Sequence, residues 1–177
     1  QHQYKGRMTR NLHIGNILLK STKKEFLYFK IDDKVYKVPT NGYIVKIIDW
    51  GRATYNINGF NGNNSIYNVN NECFGQYVFN KIGKSKKNLN TDKNKYSDIV
   101  MLSHNLLHEF EFIRNTKLGK FLKNNISSYN GYNLDYTKFN WKIYKEISKY
   151  KFNIRPRNIL KNKIFSKGNV FSICGDF

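Results

Sequence analysis

Two short stretches hold residue types suited to handling a phosphate and a divalent cation. The first is Asn11-Leu12-His13-Ile14-Gly15-Asn16-Ile17-Leu18-Leu19, and the second is Ile47-Ile48-Asp49-Trp50-Gly51-Arg52. Phosphoryl transfer from a nucleotide needs a divalent cation to neutralise phosphate charge, and that cation prefers hard oxygen ligands. A carboxylate leaving an apolar strand (Asp49) and an amide oxygen from a loop alongside it (Asn16) supply such a pair. Taken singly, each residue also has an ordinary reading. Asp49 caps a turn after a buried strand, Asn16 is a turn residue, and His13 is a structural or substrate-facing loop residue rather than a base.

These residues need elements to position them. Ile17-Leu18-Leu19 reads as a short buried strand after a polar loop. Phe26 to Phe29 and Val35 to Val38 are β-prone runs flanking Asp32-Asp33, which predicts a hairpin over 25–38. Pro39-Thr40-Asn41-Gly42 breaks it, and Ile44 to Ile48 is the strongest strand in the sequence, ending at Asp49. From Thr54 to Lys95 the chain is rich in Asn, Gly and Lys and reads as irregular. Helical spacing follows. Ser97 is expected as an N-cap, and Ile99, Leu102, Leu106 and Phe110 recur at intervals of three and four. Shorter helices are expected over 116–124 and 136–148, the second with Lys138, Lys142, Lys145 and Lys149 as a solvated face. Pro156 is expected to close the helical region before a short tail. The sequence contains no internal repeat.

Composition narrows the function classes. With 31 Lys and Arg against 12 Asp and Glu, the formal charge is +19, which raises the local concentration of any polyanion. No base-reading motif accompanies the charge, so nucleic-acid binding would be unspecific. The 26 Asn and the wealth of Lys, Ile, Tyr and Phe suggest an AT-rich genome, in which part of the charge is compositional. A 40% hydrophobic content excludes general disorder, and no apolar run approaches the ~18 residues of a membrane span. Cys73 and Cys174 are too few for a disulfide framework and fit a reducing, intracellular compartment. His104 and His108 have zinc-compatible spacing, but no third ligand is evident. The 177 residues predict one domain. They carry no initiator Met, so the chain is expected to be processed or a piece of a longer one.

With the two motifs and their strand context in order, the sequence resembles the C-terminal lobe of the protein-kinase-like superfamily. The family's catalytic loop reads His-x-Asp-Leu-His/Lys-x-x-Asn and is followed, after a short strand, by Asp-Phe-Gly. Asn16 falls on the metal-binding Asn and Asp49-Trp50-Gly51 on Asp-Phe-Gly. His13 is similar to the small-molecule kinases, and Asp98 matches the Asp of the helix that buttresses the catalytic loop. The long inter-motif hairpin and the Asp-Trp-Gly-Arg-Ala junction look most like kinase-like proteins of large DNA viruses. The resemblance covers roughly residues 8–165 and implies an α+β fold, a mainly α-helical kinase C-lobe-like domain with a small β-hairpin region near the N-terminal end. It divides the chain into catalytic-loop and metal-strand residues 8–53, an activation-loop-like segment 54–95, helices 96–165 and a tail 166–177.

The resemblance further implies ATP and Mg as cofactors, with Asn16 and Asp49 on the metal and Leu18 as the apolar floor beneath an adenine. Asp98 would support the loop, and a protein Ser/Thr hydroxyl would be the acceptor. Two departures stand out. Asn11 occupies the catalytic Asp position and Thr9 that of the preceding His. No Gly-rich loop or paired strand Lys is present, so the N-lobe is expected to be absent. The expected function is an ATP-dependent phosphotransferase, degenerate or a fragment, whose missing N-lobe or partner chain lies elsewhere. The alternative is a viral pseudokinase or structural module binding a polyanionic partner or nucleic acid, in host cytoplasm or virion.

Overall fold

The computed structural model describes residues 4–8, 11–31, 34–57, 60–62, 97–124, 128–129, 132–133, 156–166 and 170–172. Two compact units emerge where the sequence predicts one domain. The first comprises residues 1–16 and 48–153, and the second comprises 17–47 and 154–177. Strand and helix are mixed, giving an α+β composition.

In the first unit, β1 (Tyr4–Met8) pairs antiparallel with β6 (Thr54–Ile57), which pairs with β7 (Phe60–Gly62). The β1–β6 register slips between Lys5 and Arg7, where Gly6 lies. Residues 54–57 and 60–62 thus form strands where an irregular segment is expected. A 3₁₀ turn, Ile14–Asn16, follows the polar loop. Helix α1 (Ser97–Glu109) takes Ser97 as its first residue and not as a cap, since the buried Ser97 Oγ meets no partner among the described residues; Asp98 lies in the first turn, where a carboxylate suits the positive end of the helix.

The buried side of α1 is not the one that the Leu spacing marks. Val100, Met101, His104 and Leu107 are almost fully buried, together with Ser97, Ser103 and Asn105. Ile99, Leu102 and Leu106 are only half-buried, and Phe110 is exposed. The apolar stripe is wide enough to permit either side inward, and packing against α2 (Lys117–Leu122) and the 14–16 turn selects one. Burying Met101 and Leu107 contributes roughly 1.5–3 kcal/mol each.

Arg114 secures the end of α1. Its Nε donates to the Leu107 carbonyl oxygen (2.6 Å), one terminal nitrogen to that of His108 (3.1 Å) and the other to Glu111 (2.8 Å). Thr116 then caps α2, its Oγ1 accepting from the Gly119 amide at 3.1 Å. Gly119 is required for space. A β-carbon there would lie 1.9 Å from the Ile113 carbonyl oxygen. Within the same unit, β8 (Ser128–Tyr129) and β9 (Tyr132–Asn133) form a short antiparallel pair.

The second unit is built on the expected hairpin. Here β3 (Phe26–Ile31) pairs with β4 (Lys34–Pro39), and Lys37 lies over the Phe26 ring at 3.9 Å. Flanking it, β2 (Ile17–Ser21) pairs with β5 (Tyr43–Ile47), Ile17 opposite Ile47 and Ser21 opposite Tyr43. The break between the ladders is a turn closed by Tyr43 N donating to Thr40 O at 2.9 Å. Asn41 (φ 49°) and Gly42 (φ 83°) both take left-handed backbone there, as a type I′ turn demands. The Thr40 hydroxyl donates to Lys24 O and accepts from Gly42 N, fixing the corner.

Two expectations for this unit need correction. The strand Ile17-Leu18-Leu19 is present but not buried, with Leu18 and Leu19 52% and 62% exposed, because β2 belongs to a two-stranded ribbon. Pro156 does not end a helical region. It opens α3 (Pro156–Leu160), where its missing N–H costs nothing, and α4 (Lys163–Ser166) follows. The expected tail contains β10 (Val170–Ser172), which adds to the free edge of β4. The helix expected over 136–148 lies outside the described residues, as do Cys73, Cys174 and most of 54–95. No helix among the described residues is long and apolar enough to cross a membrane.

Candidate functional site

The loop 11–16 is folded on itself by short-range hydrogen bonds. His13 N donates to Asn11 O (3.1 Å), Asn16 N to His13 O (2.9 Å), and the Asn16 side-chain amide to Asn11 O (2.9 Å). Asn11, Leu12 and Asn16 are buried, so their side chains are held rather than solvated. Ile17 pairs with Ile47, and in continuation Ile48 N donates to Asn16 O at 3.0 Å. That register brings Asp49 beside the loop.

Asp49 is the point on which the loop converges. Its Oδ2 accepts from Asn11 Nδ2 at 3.3 Å and from Asn16 Nδ2 at 3.4 Å. Both contacts are longer than the usual 2.7–3.2 Å of such bonds, so they hold the carboxylate loosely. Asp49 is solvent-exposed and sits in left-handed backbone at φ 56°. A non-Gly residue in that conformation costs of order 1–3 kcal/mol and persists only where its surroundings impose it. Here it lies between the end of β5 and the tight turn in which Ala53 N donates to Trp50 O (2.9 Å).

His13 borders this cluster. The Gly15 amide donates to its Nδ1 at 3.1 Å, so the neutral ring carries its proton on Nε2. Gly15 has no side chain to obstruct that closure, and a β-carbon there would meet His13 Cε1 at 2.9 Å. Burial pushes the His13 pKa below its ordinary value. The Asp49 carboxylate opposes that shift and the Arg52 guanidinium adds to it. With Nδ1 engaged and Nε2 protonated, this imidazole offers a donor rather than a base.

The sequence-predicted residues divide in two. Asn11, His13, Asn16 and Asp49 come together in the first unit. Leu18 stands half-exposed on β2 in the second unit. Asp98 is half-buried on α1, less than a fully enclosed buttress would be. Of its expected partners near 9–12, residues 9 and 10 lie outside the described ones. His104 and His108 stack at 6.5 Å with planes 18° apart. Among the described residues no group of three or more His, Cys, Asp or Glu side chains is arranged to hold a metal ion.

One residue of the site is not evident from the motifs. Asn105, on α1, accepts from Ile14 N at 3.1 Å through its Oδ1. The available signal is a polar residue set among Leu102, Leu106 and Leu107, seven positions after Asp98.

The donor set suits a hard divalent cation. Asn16 directs its Nδ2 at both Asn11 O and Asp49 Oδ2, so only its Oδ1 remains as an acceptor on that side chain. A carboxylate and an amide are hard oxygen donors of the kind that divalent cations such as magnesium take. No family model matches this chain, and no curated protein matches it in sequence.

Proposed function

We propose that the loop 11–16 and Asp49 form a kinase-like nucleotide–metal site that binds better than it transfers, a degenerate ATP-dependent protein phosphotransferase. The single observation that supports this is the convergence of Asn11 and Asn16 on Asp49 Oδ2 from 38 and 33 positions away. Asn16 Oδ1 and the Asp49 carboxylate would hold magnesium, which when bound neutralises phosphate charge. His13 Nε2–H would donate to a phosphate oxygen, and Asp98 would brace the loop from α1. Asn11 would orient a hydroxyl without taking its proton, forgoing the ~10²–10⁴-fold of general-base assistance. The acceptor, a Ser/Thr hydroxyl of a protein, and a viral origin belong to the same reading.

The amide at position 11 also favours a second reading, a pseudokinase or binding module in which the +19 charge holds a polyanionic partner. Calorimetric titration with a non-hydrolysable ATP analogue, with and without Mn²⁺, tests the site. The wild-type chain should bind in a metal-dependent way, and Asp49→Asn should weaken binding at least ~10-fold, the loss expected of a charged ligand. Equal binding by both proteins would refute the nucleotide–metal reading. Strongly salt-dependent binding of a nucleic acid, with no response to Asp49→Asn, would favour the second.

A further inference from the structure

Asn105 is 2% exposed and lies in the middle of α1. Its Oδ1 accepts from Ile14 N, the first amide of the 3₁₀ turn, across 91 positions of sequence. A first-turn amide has no partner within its own helix, so one must come from elsewhere. The amide orientation is fixed by chemistry, because a backbone N–H can only donate and the side-chain oxygen must therefore face it.

The other half of the Asn105 amide tells where this residue is useful. Among the described residues, its buried Nδ2 meets no acceptor. Burying an amide with one group unpaired is less favourable than burying an apolar side chain of the same size. Asn is also a weaker helix former than Leu. As a core residue of α1, Asn105 is thus a poor choice. As an acceptor for the loop it is well placed, on a helix rigid enough to hold a site residue in register.

Building on the proposed nucleotide–metal site, we propose that Asn105 is its positioning residue: from inside α1 it fixes the Ile14 turn, and so holds the Asn11 and Asn16 amides on Asp49. The turn begins at Ile14 and ends at Asn16, and Asn16 in turn binds Asn11 O, so a displaced Ile14 displaces both amides. Neither substrate nor metal need touch Asn105.

The test compares the wild-type chain with Asn105→Leu and Asn105→Asp. Three readouts are needed: NMR of the Ile14 amide and of the Asn11 and Asn16 side-chain NH₂ groups, thermal melting, and Mn²⁺ affinity by electron paramagnetic resonance. Asn105→Leu should melt no lower than wild type, yet exchange its Ile14 amide about 3–10-fold faster, the equivalent of one lost hydrogen bond. The Asn11 and Asn16 NH₂ signals should shift and Mn²⁺ should bind more weakly. Asn105→Asp, isosteric and an acceptor in either protonation state, should restore Ile14 protection and the NH₂ signals.

An unchanged Ile14 amide in the Leu variant would overturn the proposal. So would a freed Ile14 amide with unmoved Asn11 and Asn16 signals. If the Leu variant does not fold, loss of Ile14 protection in a folded Asp variant overturns it equally. Absence of Asp49-dependent Mn²⁺ binding in the wild type would instead reject the site reading, and the amide signals would still decide the role of Asn105.

Discussion

Asn11 donates its side-chain amide to Asp49 Oδ2 at 3.3 Å, joining the loop to the residue that ends the strongest strand of the sequence. Asn11→Asp turns this donor–acceptor contact into two facing carboxylates. Without metal, the variant should lose about 1–3 kcal/mol, a figure already reduced for the exposure of Asp49. With Mn²⁺ the loss should vanish, because a cation between two carboxylates is better held than one beside an amide. Paired melts in EDTA and in Mn²⁺ measure both effects. Turnover should stay negligible in a radiolabelled-ATP assay, since positioning and electrostatics supply most of the catalysis in phosphoryl transfer.

His13 predicts a pH dependence. Burial holds its folded pKa below the unfolded value near 6.5, so the unfolded chain binds the proton more readily. The sign follows: the neutral ring contributes stability that is fully present above about pH 6.5 and lost as pH falls through the lower folded pKa. The Gly15 N to Nδ1 bond acts in the same direction, because Nδ1 must be unprotonated to accept it. Urea midpoints between pH 5 and 7.5 should rise with pH in wild type and flatten in His13→Gln. Gly15→Ala should displace the imidazole and move its pKa back toward 6.5, measurable by NMR titration.

Gly119→Ala should be among the most damaging small substitutions in the first unit. The new β-carbon would fall 1.9 Å from a backbone carbonyl oxygen, which cannot swing aside as a side chain does. Overpacking of this kind costs ~1–3 kcal/mol, corresponding to a fall of roughly 2–12 °C in a chain of this size. Calorimetry on the variant checks it, and a melting point within one degree of wild type would contradict the clash.

Arg114→Lys keeps the charge at the end of α1 but not the fork. Three acceptors are served by one planar guanidinium, and an ammonium on a flexible stem cannot reproduce that geometry. The variant should lose about 1–2 kcal/mol, most of the effect of Arg114→Ala. Comparable melting points for wild type and Arg114→Lys would show that charge at the helix terminus suffices.

The strand pattern was largely legible because β-prone runs and turn residues alternate cleanly between Ile17 and Asp49. The neighbourhood of Asn11, Asn16 and Asp49 was legible for the same reason, since antiparallel pairing of the flanking strands leaves little choice of register. Burial was harder to read. Leu18, Leu19 and Val45 suggest a core strand, yet a two-stranded ribbon leaves them exposed. On α1 the Leu spacing marks one side and packing chooses another, which is why Met101, His104 and Asn105 escape a periodicity argument. The β10 strand escaped too, because three residues give no period and their partner lies far away in sequence. Asn105 is of the same kind: a single long-range hydrogen bond leaves no local signature.

The pairing of β10 with β4 has a consequence for the order of folding. The β3–β4 hairpin needs only local contacts and can close early, on a microsecond scale. Its outer edge must then wait for Val170 to Ser172, which the ribosome delivers much later. During synthesis the β4 edge, with Val35 and Tyr36, is an open template for another strand. Lys34 and Lys37 punctuate that edge with positive charge, a deterrent against pairing with a second nascent copy of this +19 chain. Acidic substitution of those two lysines would remove the repulsion while leaving the finished sheet its final partner.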